Sequence, residues 1–157
     1  MAKYLLAHDL GTSGDKVTLF DTDGNSVCSS TIAYPVHYFG EHCAEQDPED
    51  WWRAVVEGTR KTISEIDPAD VLGISFSAQM QCCLPVDREG RTLRPAMIWA
   101  DHRAVREKEF LSREIGFEDF CRITGHRPNE SYTLEKIMWL KKHEPDVYRK
   151  TYKVLQV

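Results

Sequence analysis

Hydrophobic and polar positions change in short bursts at the start of this chain and settle into helical periods further on. Tyr4-Leu5-Leu6-Ala7 and Val17-Thr18-Leu19-Phe20 are apolar and β-branched runs too short for helices, and both predict strands, over about residues 4–9 and 16–21. Thr22-Asp23-Gly24-Asn25 carries Asp-Gly at its centre, a hairpin turn signal, and a third strand follows over 27–33. The chain therefore opens as a three-stranded antiparallel meander. Residues 34–46 hold Pro35, Gly40, two histidines and two aromatics without a clean period, and read as a loop.

Asp47-Pro48-Glu49-Asp50 is a helix start, with a capping aspartate, proline at the first helical position and acids in the first turn. Trp52, Val55, Val56, Thr59 and Ile63 follow at helical spacing, and Asp67-Pro68 breaks the helix after about Ile66. Trp51 and Trp52 read as core and shoulder. Residues 71–77 predict a central strand, 82–86 another and 95–98 a short one, with a turn at 87–90. Trp99-Ala100-Asp101-His102-Arg103 then enters a charged helix, with Asp101 as its candidate cap. Further helices are expected over 117–123 and from a cap near Ser131 to His143, the latter with Leu134, Ile137, Met138 and Lys141 on one face. A helical turn at 146–149 and a strand over 152–157 close the chain. Strands and helices interleave, which predicts an α/β fold with a mixed sheet flanked by helices.

Between the first two strands lies His8-Asp9-Leu10-Gly11-Thr12-Ser13-Gly14-Asp15-Lys16. Glycines let a backbone bend with φ > 0 and approach an anion closely. Thr12 and Ser13 can donate to phosphate oxygens, Lys16 adds a point charge, and Asp9 can face a hydrated Mg²⁺. The same residues also suit a plain hairpin. No Walker loop occurs, and no helix follows the glycines as a Rossmann fingerprint demands.

Charge narrows the partners. The chain has 157 residues, a net charge of −5, 41% hydrophobic and 29% charged residues, which is ordinary for one globular domain. No Lys/Arg block stands out, so no nucleic-acid partner is expected, and no apolar run approaches a membrane span. The N-terminus shows no signal-peptide pattern. The five cysteines, at 28, 43, 82, 83 and 121, form no C-x-x-C and read as reduced thiols of a cytoplasmic protein. His37 and His42 have no further ligand near them in sequence and do not point to a metal site.

Four segments together carry a resemblance: Asp9-Leu10-Gly11-Thr12-Ser13, Glu45-Gln46-Asp47-Pro48-Glu49-Asp50-Trp51-Trp52, Gln79-Met80-Gln81, and Trp99-Ala100-Asp101-His102-Arg103. In that order they resemble the N-terminal lobe of the FGGY carbohydrate kinases, nearest the xylulokinase branch, over nearly the whole chain. The resemblance implies an actin-like, ribonuclease-H-like fold of two lobes and transfer of phosphate from Mg-ATP to a sugar or polyol. It implies that Gly11, Thr12, Ser13 and Lys16 meet the ATP phosphates and that Asp9 sits near Mg²⁺, through water. It places Gln79, Met80, Gln81, Trp99, Asp101 and Arg103 on the sugar side, with Asp101 bonding a hydroxyl; a helix cap is the other reading of Asp101, and core packing that of Trp99.

Three positions depart from the pattern. Gln81 stands where xylulokinases carry His, which argues against fixing xylulose as the substrate. His8 replaces a small or apolar residue, and Asp15 puts an acid beside a phosphate loop, a Coulombic cost unless it points away. The family's general base is an aspartate expected beyond residue 157, so the chain reads as an incomplete lobe of a longer kinase, inactive alone, whose open strand edges can pair with a second copy. A non-catalytic sugar- or nucleotide-binding module with an actin-like lobe, or a scaffold of the actin type, would share these features; a second lobe with a catalytic aspartate discriminates.

Overall fold

Every second side chain of β1 (Tyr4–Leu10) turns inward, so Leu6, His8 and Leu10 are buried. The computed structural model describes residues 3–157, which pack as two units. One unit runs to residue 36 and takes in 47–79 and 157; the other comprises 37–46 and 80–156.

In the first unit, β1 pairs antiparallel with β2 (Gly14–Asp21), with Asp9 opposite Lys16 and Leu10 opposite Asp15. β2 pairs antiparallel with β3 (Ser26–Ala33), giving the expected meander. β1 and β2 both reach beyond their hydrophobic runs, and only residues 11–13 separate them. The chain next supplies β4 (His37–Phe39) and β5 (Cys43–Gln46) to the second unit, an antiparallel hairpin where the sequence predicts a loop. β5 buries Ala44, Glu45 and Gln46, and with polar residues at two of its three buried positions it leaves no hydrophobic period to read.

Back in the first unit, α1 (Pro48–Thr62) starts as expected: the Asp47 carboxylate accepts the amide of Glu49 at 3.0 Å. It ends at Thr62 rather than near Ile66, and Asp67 caps a separate 3-10 turn, Pro68–Asp70. Of the residues at helical spacing, Trp52 is exposed and Val55, Val56, Thr59 and Ile63 are half-buried, while Trp51 is buried as expected of a core residue. Trp51, Ala54, Gly58 and Thr62 are the buried positions. A Cβ at Gly58 would lie 2.5 Å from Val17 Cγ2, so the helix sits against β2 at a distance only glycine allows. Leu6, Val17 and Leu19 form the core here, packed by Tyr4, Ile63, Ile66 and Val71. β6 (Val71–Ala78) runs parallel to β1. The sheet order is β3-β2-β1-β6, so β6 is an edge among the described residues, not the central strand predicted.

The second unit adds β7 (Leu84–Val86), β8 (Ala96–Met97), α2 (Val105–Glu114), α3 (Phe117–Thr124), α4 (Thr133–His143), α5 (Pro145–Lys150) and β9 (Lys153–Leu155). The strands pair as β4-β5-β8 and β7-β9. Cys83, Met97 and Leu140 make its core, packed by Ile137, Trp139, Val147 and Val154. Two expected caps are corrected: α2 starts after Ala104 and α4 after Tyr132, neither with a side-chain cap bond, so Asp101 and Ser131 do not cap them. The α4 face differs too. Leu134 is exposed, whereas Glu135, Lys136 and Leu140 are buried.

Candidate functional site

The loop between β1 and β2 is held from beneath. The Gly11 amide donates to the carbonyls of Gly14 at 3.0 Å and Asp9 at 3.1 Å. The Tyr34 amide donates to Ser13 O at 3.2 Å, and the Tyr34 hydroxyl to Gly11 O at 2.7 Å. Burial, followed by the nearby charges of Asp15 and Asp9, pushes the Tyr34 hydroxyl well above the usual phenol range, so it remains a donor. The expected reason for the glycines is corrected: neither Gly11 nor Gly14 has positive φ. Gly14 is required by closeness instead, since a Cβ there would lie 2.7 Å from the Ile32 carbonyl oxygen.

Strand alternation then sorts the side chains. Asp9, Ser13 and Lys16 are exposed, Thr12 is half-buried, and Asp9 and Lys16 occupy opposed positions across the hairpin. His8 and Asp15 turn the other way and are fully buried, with His8 Nδ1 2.7 Å from Asp15 Oδ2. His8 Nε2 lies 3.2 Å from the Thr59 hydroxyl, and its ring stacks on Phe76 with centroids 4.9 Å apart. A ring with Nδ1–H donating to Asp15 and Nε2 accepting from Thr59 satisfies both contacts. The acid therefore points away from the loop and meets His8, another of the three residues that depart from the expected pattern.

The residues expected on the sugar side sit elsewhere in the chain. Gln79 ends the first unit, its amide donating to Leu10 O at 2.9 Å. In the second unit Met80 is 72% exposed and Trp99 47% exposed, so Trp99 is not a core residue. Gln81 adopts φ 62°, which makes it the only non-glycine residue with positive φ among the described residues. Asp101 is fully buried. Its Oδ2 accepts from the Ala44 amide at 2.8 Å and Arg103 Nη2 at 2.6 Å, and its Oδ1 from the Arg103 amide at 3.2 Å. Arg103 Nε lies 2.9 Å from both oxygens. Arg103 Nη2 also donates to Glu45 Oε1 at 2.6 Å, and Arg94 bridges Glu45 and Glu144. Despite the desolvation, hydrogen bonds and charge from Asp101 and Glu45 keep the Arg103 guanidinium firmly protonated. Its plane lies over Trp139, 4.9 Å from the ring centroid.

Sequence reasoning missed Glu45, Arg94 and Lys136. Glu45 lies in the segment that leads into α1, where the sequence carries no signal of its burial, and nothing in the sequence marks the other two. The Lys136 ammonium is buried and donates to the backbone carbonyls of Gln81 at 2.8 Å and Ile98 at 2.6 Å. Among the described residues no group of three or more His, Cys, Asp and Glu side chains could hold a metal ion, and no helix is long and apolar enough to cross a membrane.

Residues 4–157 match the family model for the FGGY family of carbohydrate kinases, N-terminal domain. A xylulose kinase from Staphylococcus xylosus is 34% identical over 152 residues, covering 97% of this chain and 32% of the relative. A crystal structure of a xyloylose kinase from Brucella ovis superposes with a TM-score of 0.88 at 32% identity, over 96% of this chain and 31% of that one. Gluconate kinase from Lactobacillus acidophilus superposes with a TM-score of 0.93 at 26% identity, over 99% of this chain and 31% of that one. The chain thus spans about a third of the length of these relatives, and its fold is the actin-like one of their first part. With residues 4–157 matched throughout and relatives above 30% identity along nearly the whole chain, the protein belongs to the FGGY family of carbohydrate kinases, matching the family's N-terminal domain.

Proposed function

We propose that this chain is the N-terminal lobe of a longer cytoplasmic kinase that transfers the terminal phosphate of ATP to a hydroxyl of a sugar or polyol. The observation that carries this reading is the family match along residues 4–157. Phosphoryl transfer asks a protein for positioning and charge neutralisation rather than covalent chemistry. In this reading Gly11, Thr12, Ser13 and Lys16 receive the ATP phosphates on the exposed side of the hairpin. Asp9, an exposed carboxylate without a cluster of further ligands, fits Mg²⁺ held mainly by water and phosphate oxygens. When bound, that ion would neutralise phosphate charge.

On the sugar side, Trp99 offers a flat apolar face, and the amide of Gln81 offers paired donor and acceptor atoms. Met80 supplies apolar contact. Asp101 is fully buried and Arg103 and the Ala44 amide take up both its oxygens, so the expected bond to a sugar hydroxyl gives way to a supporting role in which the Asp101–Arg103 pair fixes the loop after Trp99. The sugar is named only by class, because Gln81 stands where xylulokinases carry His. The general base is assigned to an aspartate in the part of the relatives that this chain does not match.

The test is a panel of sugars and polyols with the full-length protein, read as ADP release. At least one should be phosphorylated, and Lys16→Ala should slow that turnover by about 10²-fold. Unchanged rate and nucleotide affinity in Lys16→Ala would remove the phosphate-loop assignment. The 157-residue chain alone should give no turnover; multiple turnovers from it would contradict the two-lobe reading.

A further inference from the structure

Lys136 carries a buried ammonium whose hydrogen bonds run to backbone carbonyls and not to a carboxylate. Burying a charge in this way is unfavourable unless it is well solvated by protein dipoles, so the position calls for an explanation. The two carbonyls are informative. Gln81 immediately follows Met80, and Ile98 immediately precedes Trp99. One ammonium therefore ties together the two loops that carry the sugar-side residues.

The Gln81 end of this tie is the strained one. Its φ of 62° is a conformation that non-glycine residues adopt rarely and keep only when their surroundings impose it. The surroundings here do so from the start of α4 and from the residue after β9. Thr133 Oγ1, one turn before Lys136, donates to Cys82 O at 3.1 Å. Gln156 brackets the same residue: its Oε1 accepts from Cys82 N at 2.9 Å and its Nε2 donates to Cys82 O at 2.9 Å. Lys136 alone also reaches across to the Ile98 carbonyl, which the Asp101 amide shares at 2.9 Å.

We propose that Lys136 is a positioning residue for the sugar side, clamping the Gln81 and Ile98 carbonyls so that Gln81 and Trp99 hold one fixed placement relative to each other. The proposal rests on the kinase reading for what those two residues bind. Burial draws the Lys136 ammonium down to about 8, against the opposing pull of Asp101, as a cation solvated chiefly by carbonyl dipoles should be.

The test compares Lys136→Met, Lys136→Gln and Lys136→Arg in the full-length protein, by steady-state kinetics and by amide hydrogen exchange. Lys136→Met should raise the KM for the sugar by about tenfold to hundredfold while the KM for ATP stays within about twofold, and Lys136→Arg, which keeps the charge and the donors, should recover most of the loss. Exchange should accelerate over residues 79–82 and 98–103 and stay unchanged in the hairpin of β1 and β2. Lys136→Gln, which keeps one reaching donor at most, replaces Lys136→Met in the same comparison if the methionine variant does not fold. An unchanged sugar KM, an equal rise of both KM values, or exchange that accelerates everywhere or nowhere would overturn the proposal. If the wild-type protein phosphorylates no member of the panel, the kinase reading fails, and the exchange comparison still decides whether Lys136 holds the two loops.

Discussion

His8 and Asp15 are each out of place beside a loop proposed to hold phosphate, and each accounts for the other. Seven residues apart, they meet only because β1 and β2 pair with Leu10 opposite Asp15, which brings the two inward side chains to 2.7 Å. Both were visible in the sequence as odd residues; their contact was not, because it depends on the hairpin register. Removing one partner of a buried pair leaves the other without compensation, so Asp15→Ala should lower stability by about 3 kcal/mol in urea unfolding. His8→Leu combined with Asp15→Leu should lose much less than the sum of the single changes, because apolar groups of similar volume replace the whole pair. Additive losses would show that the pair is not a unit. Cys82 and Cys83 make a second test at this scale. Both are buried, and burial pushes their thiols up to about 12 and about 11. Iodoacetamide near pH 8 should therefore label exposed Cys28 first and spare Cys82 and Cys83 until the chain is unfolded, since the thiolate is the reacting species. Early labelling of Cys82 or Cys83 would contradict the packing around them.

Local chemistry marked the start of α1 and the β2–β3 turn, but not the caps of α2 and α4 and not the buried faces of the helices. The Asp47 cap and Pro48 announced α1, and the Asp-Gly turn announced the β2–β3 hairpin. The buried face of α1 did not announce itself, because Ala54, Gly58 and Thr62 are small and a hydrophobicity pattern weights large residues. β5 escaped for the mirror reason: Glu45 and Gln46 are buried polar residues, Glu45 compensated by Arg94 and Arg103. Of the candidate site, the exposed hairpin residues were legible from their types, whereas the Lys136 tie was not, since lysines on a helix usually face water. Close packing of α1 gives a sharp prediction. Gly58→Ala gains about 1 kcal/mol of helix propensity. It also drives a methyl into the stiff Val17 side chain, an overpacking that costs about 1–3 kcal/mol, so the net effect should be a loss of stability. In a Val17→Ala background the clash disappears and the same substitution should stabilise. A thermal-melt comparison of the four proteins checks the change of sign; stabilisation by Gly58→Ala in the parent would mean that the helix can shift away from β2.

At the scale of the whole molecule, the first unit has more core face than it covers. Ile74 and Phe76 stand opposite Leu6 and His8 in the parallel β1–β6 register, so they continue the same inward face of the sheet. Leu6 and His8 are buried, yet Ile74 is 54% exposed and Phe76 56%. Leu72 on the same strand is also exposed, and β6 has a partner on one side only among the described residues. An open strand edge bearing large apolar side chains is a template for pairing with another chain. The 157-residue chain in isolation should therefore associate with a second copy in a concentration-dependent way, and light scattering coupled to size exclusion measures it. Ile74→Lys sets a charge on that edge without touching the hairpin loop, and should shift the chain toward monomer. The full-length protein gives the opposite reading of the same substitution. If the remainder of the proposed longer protein packs against β6, Ile74→Lys there buries a lysine and should lower stability by about 2–3 kcal/mol. A 157-residue chain that stays monomeric at high concentration, together with a full-length protein indifferent to Ile74→Lys, would show that this face needs no cover.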